Sequence, residues 1–174
     1  MSVELSVYTR QPAMSGLQLR ELAGRQGLSL RFLDLAGMPL GPDVRLDEPM
    51  YGQGYVLFGW PAADTETNEA VERALREGDK PEVDRLGMAG KLGWCSIYCG
   101  EFDFAEYEAS LREGLEEDEE EEDREPVPAE ILERMRWART EYAFRCGTRP
   151  RQCSDLLGKV ADLIRDASNG FGDE

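Results

Sequence analysis

Residues 142–172 read YAFRCGTRPRQCSDLLGKVADLIRDASNGFG, and this stretch decides the fold. Tyr142, Phe144 and Cys146 alternate with small or charged residues, which is the period-two pattern of a strand with one buried face. A basic turn follows. The next residues predict an amphipathic helix that starts at the N-cap Ser154 and ends at Gly170, because apolar residues recur there at helical spacing: Leu156, Leu157, Val160, Ala161, Leu163, Ile164 and Ala167. Such a helix must cover an apolar surface.

The same rules predict four more strands and four more helices. Alternating or continuous apolar runs predict strands at 3–7, 28–32, 55–60 and 94–99. Capping residues predict helices after 15–18, 64–67 and 103–106, and a fourth helix at 129–138. The glycine- and proline-rich segment 36–54 indicates a loop, and 78–93 is polar and punctuated by glycine.

The order of these elements predicts one α+β domain over residues 1–174. The first strand, helix and strand indicate a compact β-α-β opening. The continuous apolar run at 55–60 is typical of a central strand that is covered on both sides. We therefore expect a central mixed or antiparallel sheet with four to five packed helices.

The chain is strongly acidic. Its 36 Asp and Glu residues against 20 Lys and Arg give a net charge of -16. Ten of these acids lie in residues 113–125, where Arg124 is the single basic residue. A field of this sign repels nucleic acid and anionic lipid, so neither is an expected partner. It favours a basic protein, a metal cation or simple solubility.

Residue types restrict the chemistry that this chain can perform. Histidine is absent, which excludes histidine general bases, Ser-His or Cys-His pairs and histidine-ligated metals. We identify no catalytic residue, cofactor or metal site. The first ten residues lack the pattern of a secretion signal, and no apolar window is long enough to span a membrane. A cytoplasmic protein is expected, in which the four cysteines are buried thiols.

An acidic block is the most conspicuous feature. The carboxylates of the unbroken acidic run 116–123 repel one another, so we predict a mobile acidic linker or a frayed helix end at about residues 113–126. The block is interpreted either as a solvated loop that adds solubility or as a docking element for a basic protein. On the second interpretation the partner-binding residues are Glu116, Glu117, Asp118, Glu119, Glu120, Glu121 and Glu122. A second acidic patch is predicted at Asp64, Glu66 and Glu69.

Two segments carry a resemblance to a known group of proteins. One is the C-terminal run of an aromatic strand (142–145), a turn with Arg149, the helix and the glycine stop at 169–173. The other is the opening SVELSVY at 2–8. Together they resemble small acidic immunity proteins that are encoded beside bacterial polymorphic or type VI-secreted toxins. The resemblance implies a cytoplasmic inhibitor that blocks a cognate toxin stoichiometrically and performs no catalysis.

The leading hypothesis is therefore an immunity protein that covers the active surface of a basic toxin, foremost a nuclease. Two alternatives stay open. An acidic regulatory protein or nucleic-acid mimic, such as an antirepressor, would present carboxylates spaced like phosphates. A carboxylate enzyme with a divalent cation would hold that metal between Asp or Glu side chains.

Overall fold

The computed structural model describes residues 2–117, 127–147 and 151–172, without the side chains of 114–117. This part of the chain forms six strands and six helices. The strands are β1 (Ser2–Thr9), β2 (Leu28–Leu33), β3 (Gln53–Pro61), β4 (Gly93–Glu101), β5 (Thr140–Gly147) and β6 (Phe171–Gly172). The helices are α1 (Gly16–Arg25), α2 (Thr65–Glu77), α3 (Lys80–Met88), α4 (Phe104–Glu117), α5 (Ala129–Arg136) and α6 (Arg151–Ser168).

One antiparallel sheet contains all six strands of the described residues, in the order β2-β3-β4-β5-β1-β6. The α+β prediction is confirmed. The predicted opening is not a compact β-α-β unit, since three strands separate β1 from β2. Strand β3 pairs with β2 and β4 and is therefore an internal strand of the sheet. The two central positions are occupied by β4 and β5. Local patterns contain no information on this order because it depends on pairing between distant segments.

Helices α1 and α6 cover one face of the sheet. The core on that face joins Leu57, Ile97 and Phe144 of the strands to Val160 and Ile164 of α6. Helix α6 approaches the sheet closely where β4 begins: a methyl group added at Gly93 would lie 2.6 Å from the backbone oxygen of Gln152. The prediction that the last helix covers the sheet is confirmed.

Two pairs of helices lie on the opposite face, one pair at each end of the sheet. Helices α2 and α3 pack on Phe58 and Trp60 of β3. Helices α4 and α5 pack around Tyr8 of β1 and Phe171 of β6, with Met135 fully buried between them. The middle of this face receives neither pair.

Side-chain caps set several helix ends as predicted. Ser15 accepts a hydrogen bond from the backbone N–H of Gln18, and the Gln18 side chain accepts one from the Ser15 N–H, which is the complete capping box. Asp64 caps α2 by accepting from Thr67. Gly78 ends α2 with a φ of 66°, a conformation that glycine adopts without a Cβ clash.

The start of α6 was predicted wrongly. The helix begins at Arg151, and the Ser154 hydroxyl donates to the Arg151 carbonyl oxygen at 2.9 Å instead of capping the helix. Cys153 is fully buried beneath this first turn. The buried face of α6 therefore starts earlier than its leucines indicate.

Helix α3 was not predicted, because it combines few apolar residues with an internal glycine. Asp79 caps it by accepting from the Glu82 N–H, and Leu86 supplies its buried contact. Met88, the last residue of the helix, is 82% exposed. Helix α5 ends two residues before its predicted limit, at Arg136.

The predicted acidic linker overlaps helix α4. Asp103 accepts from the N–H groups of Ala105 and Glu106, and the helix then continues to Glu117. Residues 113–117 are therefore helical, and 118–126 lie outside the described residues. None of the described helices is long and apolar enough to cross a membrane.

Candidate functional site

On the α2–α5 face, a band of the sheet between the two helix pairs is covered by no helix of the described residues. The strand register aligns two rows of side chains across four strands there. We call this band the open strip, and its residues are Gly54, Tyr98, Ala143 and Ser6 in one row and Val56, Ser96, Arg145 and Glu4 in the other. All eight residues are exposed or partly exposed. A sheet face in this position is available to a partner.

Tyr98 is the dominant side chain of the open strip. It is 54% exposed, and its ring lies beside Gly100, where an added methyl group would come within 3.0 Å of the ring. Tyrosine offers a rigid apolar ring with a polar tip, and it is enriched at the centres of protein interfaces. Tyr98 is therefore the residue of the strip best suited to anchor a partner.

Polar contacts hold the edges of the strip in place. The Ser6 hydroxyl donates to Glu141 Oε1 at 3.0 Å, and Arg145 Nε lies 3.4 Å from Glu4 Oε1. The Ser96 hydroxyl donates to the Arg145 carbonyl oxygen at 3.2 Å. The strip therefore presents ordered polar groups around its aromatic centre.

A small apolar cavity adjoins the open strip, and we call it the anchor pocket. Its volume is about 240 Å³. Val56, Phe58 and Trp94 of the sheet form its floor, and Val83 of α3 forms part of its wall. Leu35 lines both this pocket and a depression of about 290 Å³ over the strip, so the two surfaces adjoin at this side chain.

Charge is distributed unequally between the two sides of the sheet. Helices α2, α3, α4 and α5 contain eleven acidic and seven basic residues among those whose side chains the structure describes. Helices α1 and α6 contain four acidic and five basic residues. The negative charge of the helices is therefore concentrated on the side that also exposes the open strip.

The residues predicted as partner-binding fall at different places in the fold. Asp64 is engaged as the cap of α2, and its carboxylate accepts from both the N–H and the hydroxyl of Thr67 at 3.0 and 2.6 Å. These hydrogen bonds, the one from the hydroxyl first, lower the pKa of Asp64. Glu66 and Glu69 are exposed on the first turns of α2.

The acidic block is described only at its beginning. Glu116 and Glu117 form the last positions of α4, and Asp118, Glu119, Glu120, Glu121 and Glu122 lie outside the described residues. The helices to which the described parts of the two predicted patches belong, α2 and α4, pack over opposite ends of the sheet. The open strip was missed, because alternation in β4 and β5 separates the two faces of each strand but does not indicate which face a helix covers.

The four cysteines are buried free thiols. Burial raises the pKa of Cys95 and Cys99 to about 12, and it also raises the pKa of Cys146 and Cys153. They are protonated at neutral pH and are poor nucleophiles in that form. No group of three or more Cys, Asp or Glu residues within the described ranges is placed to hold a metal ion.

Comparison with known proteins gives no match to any family model, curated protein or solved structure. The fold and the surface together define an α+β domain with an open sheet face between acidic helices.

Proposed function

We propose that this chain is a bacterial cytoplasmic immunity or inhibitor protein that binds a cognate basic toxin, foremost a nuclease, and covers its active surface. It works by binding and performs no catalysis. The observation that carries this proposal is the concentration of acidic residues on the same side of the sheet as the open strip. The resemblance of the two terminal segments to immunity proteins supports the toxin as the partner.

Electrostatics explains why an acidic face suits such a partner. A nuclease binds phosphates with Lys and Arg, so the surface that must be blocked is positively charged. An acidic inhibitor is attracted to that surface from a distance, and complementary charge raises association rates strongly at low salt. The acidic helices would supply this attraction, and the open strip would supply close contact.

On this proposal, different residues affect the dissociation rate and the association rate of the complex. Tyr98, at the centre of the strip, would act as a hot spot whose loss raises the dissociation rate. Glu66, Glu69 and the acidic block would act mainly on the association rate, because exposed charges at a rim contribute little to the stability of the complex.

A direct test begins with the reading frame next to the one that encodes this chain. If it encodes a basic toxin domain, co-expression should protect cells, and the purified proteins should form a stoichiometric complex. Tyr98→Ala should weaken the complex by about 2 kcal/mol, or roughly thirtyfold in Kd. Leu17→Ala is the matched control, since Leu17 is 46% exposed on α1 at the opposite face.

Failure to bind the adjacent toxin would refute the proposal. Equal affinity of the Tyr98 and Leu17 variants would show that the open strip is not the contact surface. Inhibition of several unrelated DNA-binding proteins would instead favour the nucleic-acid mimic.

A second experiment tests whether the acidic residues raise the association rate. Glu66→Lys with Glu69→Lys, and separately the replacement of residues 116–122 by serine, should each lower the association rate and its salt dependence. Glu21→Lys with Asp166→Lys makes the same change as the first pair on the opposite side and should have less effect. An unchanged association rate for both acidic variants would rule out their steering role.

A further inference from the structure

We infer that the anchor pocket receives one apolar side chain of the basic partner, and this inference rests on the proposed function. The pocket has the size of a side chain and not of a typical small ligand. A dry apolar cavity of about 150 Å³ holds a benzene ring, whereas pockets for drug-sized ligands start at about 300 Å³. At about 240 Å³ the anchor pocket has room for a leucine or phenylalanine side chain.

The lining of the pocket is suited to apolar contact. Phe58 is buried at its floor beside Trp94, and Leu75 and Val83 close its helical side. Charged side chains occur only at the rim, where Lys80 and Asp84 are both exposed. An apolar group that enters the pocket therefore leaves water without covering an unpaired buried charge.

The loop wall of the pocket is held in place without a ligand. Asp34 Oδ1 accepts from the N–H groups of Ala36 and Met38, each at 2.9 Å. The Asp34 N–H donates to the Met38 carbonyl oxygen at 2.9 Å, and Leu33 pairs with Pro39 in an isolated bridge. A wall that is already ordered loses little conformational freedom on binding.

A packing contact holds the floor of the pocket in place. The Trp94 ring packs directly against Gly87 of α3, where an added methyl group would overlap it. This glycine allows α3 to lie close to the sheet, and the contact restricts the indole at the floor of the pocket.

The surroundings decide the nature of the occupant. The pocket adjoins the open strip, because Val56 belongs to both and Leu35 lies at their border, and it is on the acidic side of the sheet. A second copy of this chain would bring a like charge of -16 to that surface and would be repelled. A basic segment that carries an apolar residue between Lys and Arg residues is attracted by the same field.

Five-residue peptides of the form acetyl-Lys-Arg-X-Arg-Lys-amide test this inference, with X as glycine, leucine or phenylalanine. Binding at low salt is measured by calorimetry and by backbone amide NMR shifts. The leucine and phenylalanine peptides should bind at least about tenfold more tightly than the glycine peptide, because their side chains become buried. Shifts should concentrate at residues 35–39, at Val83 and at Trp94.

Ala36→Trp fills the pocket from its exposed loop. This variant should bind all three peptides with the affinity that the wild type has for the glycine peptide. Ala63→Trp is the matched control, because Ala63 is an exposed turn residue that does not line the pocket. It should keep the preference for leucine and phenylalanine.

Several results would overturn the inference: equal affinity for the three peptides, no binding of any of them, or an unchanged preference in Ala36→Trp. NMR contacts between the leucine methyl groups and Val83 in the wild type test it without any variant, and their absence would also overturn it. A toxin that is inhibited equally by wild type and Ala36→Trp would refute the anchor pocket while leaving the proposed function intact.

Discussion

Gly93→Ala should destabilise the protein through the contact between α6 and the sheet. Gly93 begins β4 and lies beneath the first turns of α6. Its added methyl group would be 2.6 Å from the backbone oxygen of Gln152 and 3.2 Å from the adjacent carbonyl carbon. Ordinary contact begins at about 3.5 Å, so the helix or the strand must move by about 1 Å. A backbone carbonyl cannot rotate away as the tip of a side chain can.

Two opposing contributions determine how much Gly93→Ala changes the free energy of unfolding. Overpacking of a close-packed contact costs about 1–3 kcal/mol. Replacing glycine by alanine within a strand returns about 0.5–1 kcal/mol, because the unfolded chain loses freedom. The midpoints of these two ranges leave a fall of about 1 kcal/mol in the free energy of unfolding, which lowers the Tm by roughly 2–4 °C for a chain of this length.

Urea denaturation followed by circular dichroism measures this change. Gly158→Ala on α6 is the matched control, because its added methyl group meets no atom within 4 Å. This control should raise the stability by about 0.5–1 kcal/mol through helix propensity. If Gly93→Ala is as stable as the wild type while Gly158→Ala is stabilised, the close seating of α6 on β4 is refuted.

Further predictions concern buried groups and a helix cap. Tyr142→Phe removes the hydroxyl that accepts the Met14 N–H at 2.9 Å, and we expect a loss of about 1–2 kcal/mol in urea denaturation. The pKa of Cys95 and Cys99 is raised to about 12 by burial, so their contribution to stability is complete below pH 9 and is lost as the pH rises toward 12. Cys99→Ala should make this alkaline loss shallower, and an equally steep loss would contradict the assignment. Hydrogen bonds lower the pKa of Asp64, so the stabilisation by its cap is present above its ordinary pKa of 3.8 and disappears as the pH falls through the lowered value. Asp64→Ala should therefore be less stable than the wild type at pH 7, with a difference that shrinks in acid.

Local patterns predicted the individual elements well where the chemistry was local. The capping box at Ser15, the cap at Asp64 and the alternation in β5 each involve residues close in sequence, and the structure confirms all three. The errors occurred where a local signal was weak or ambiguous. Ser154 has the right chemistry for a cap, yet its hydroxyl bonds within a helix that has already begun.

The candidate surface could not be predicted in the same way. Ser96, Tyr98 and Arg145 alternate with the buried residues of their strands. Whether the face that they share is buried or exposed depends on what packs over it. Their alignment into one strip depends on the pairing of β4 with β5 and of β5 with β1, across more than 130 residues in the last case.

Composition and periodicity were sufficient for the acidic character, the α+β class and most helix and strand positions, because these depend on residue types and on spacings of two to four residues. The strand order, the uncovered middle of the sheet, the anchor pocket and the unequal charge of the two faces arise only when distant segments pack together. Each of them depends on which side of the sheet a helix covers, and no short stretch of this chain contains that information.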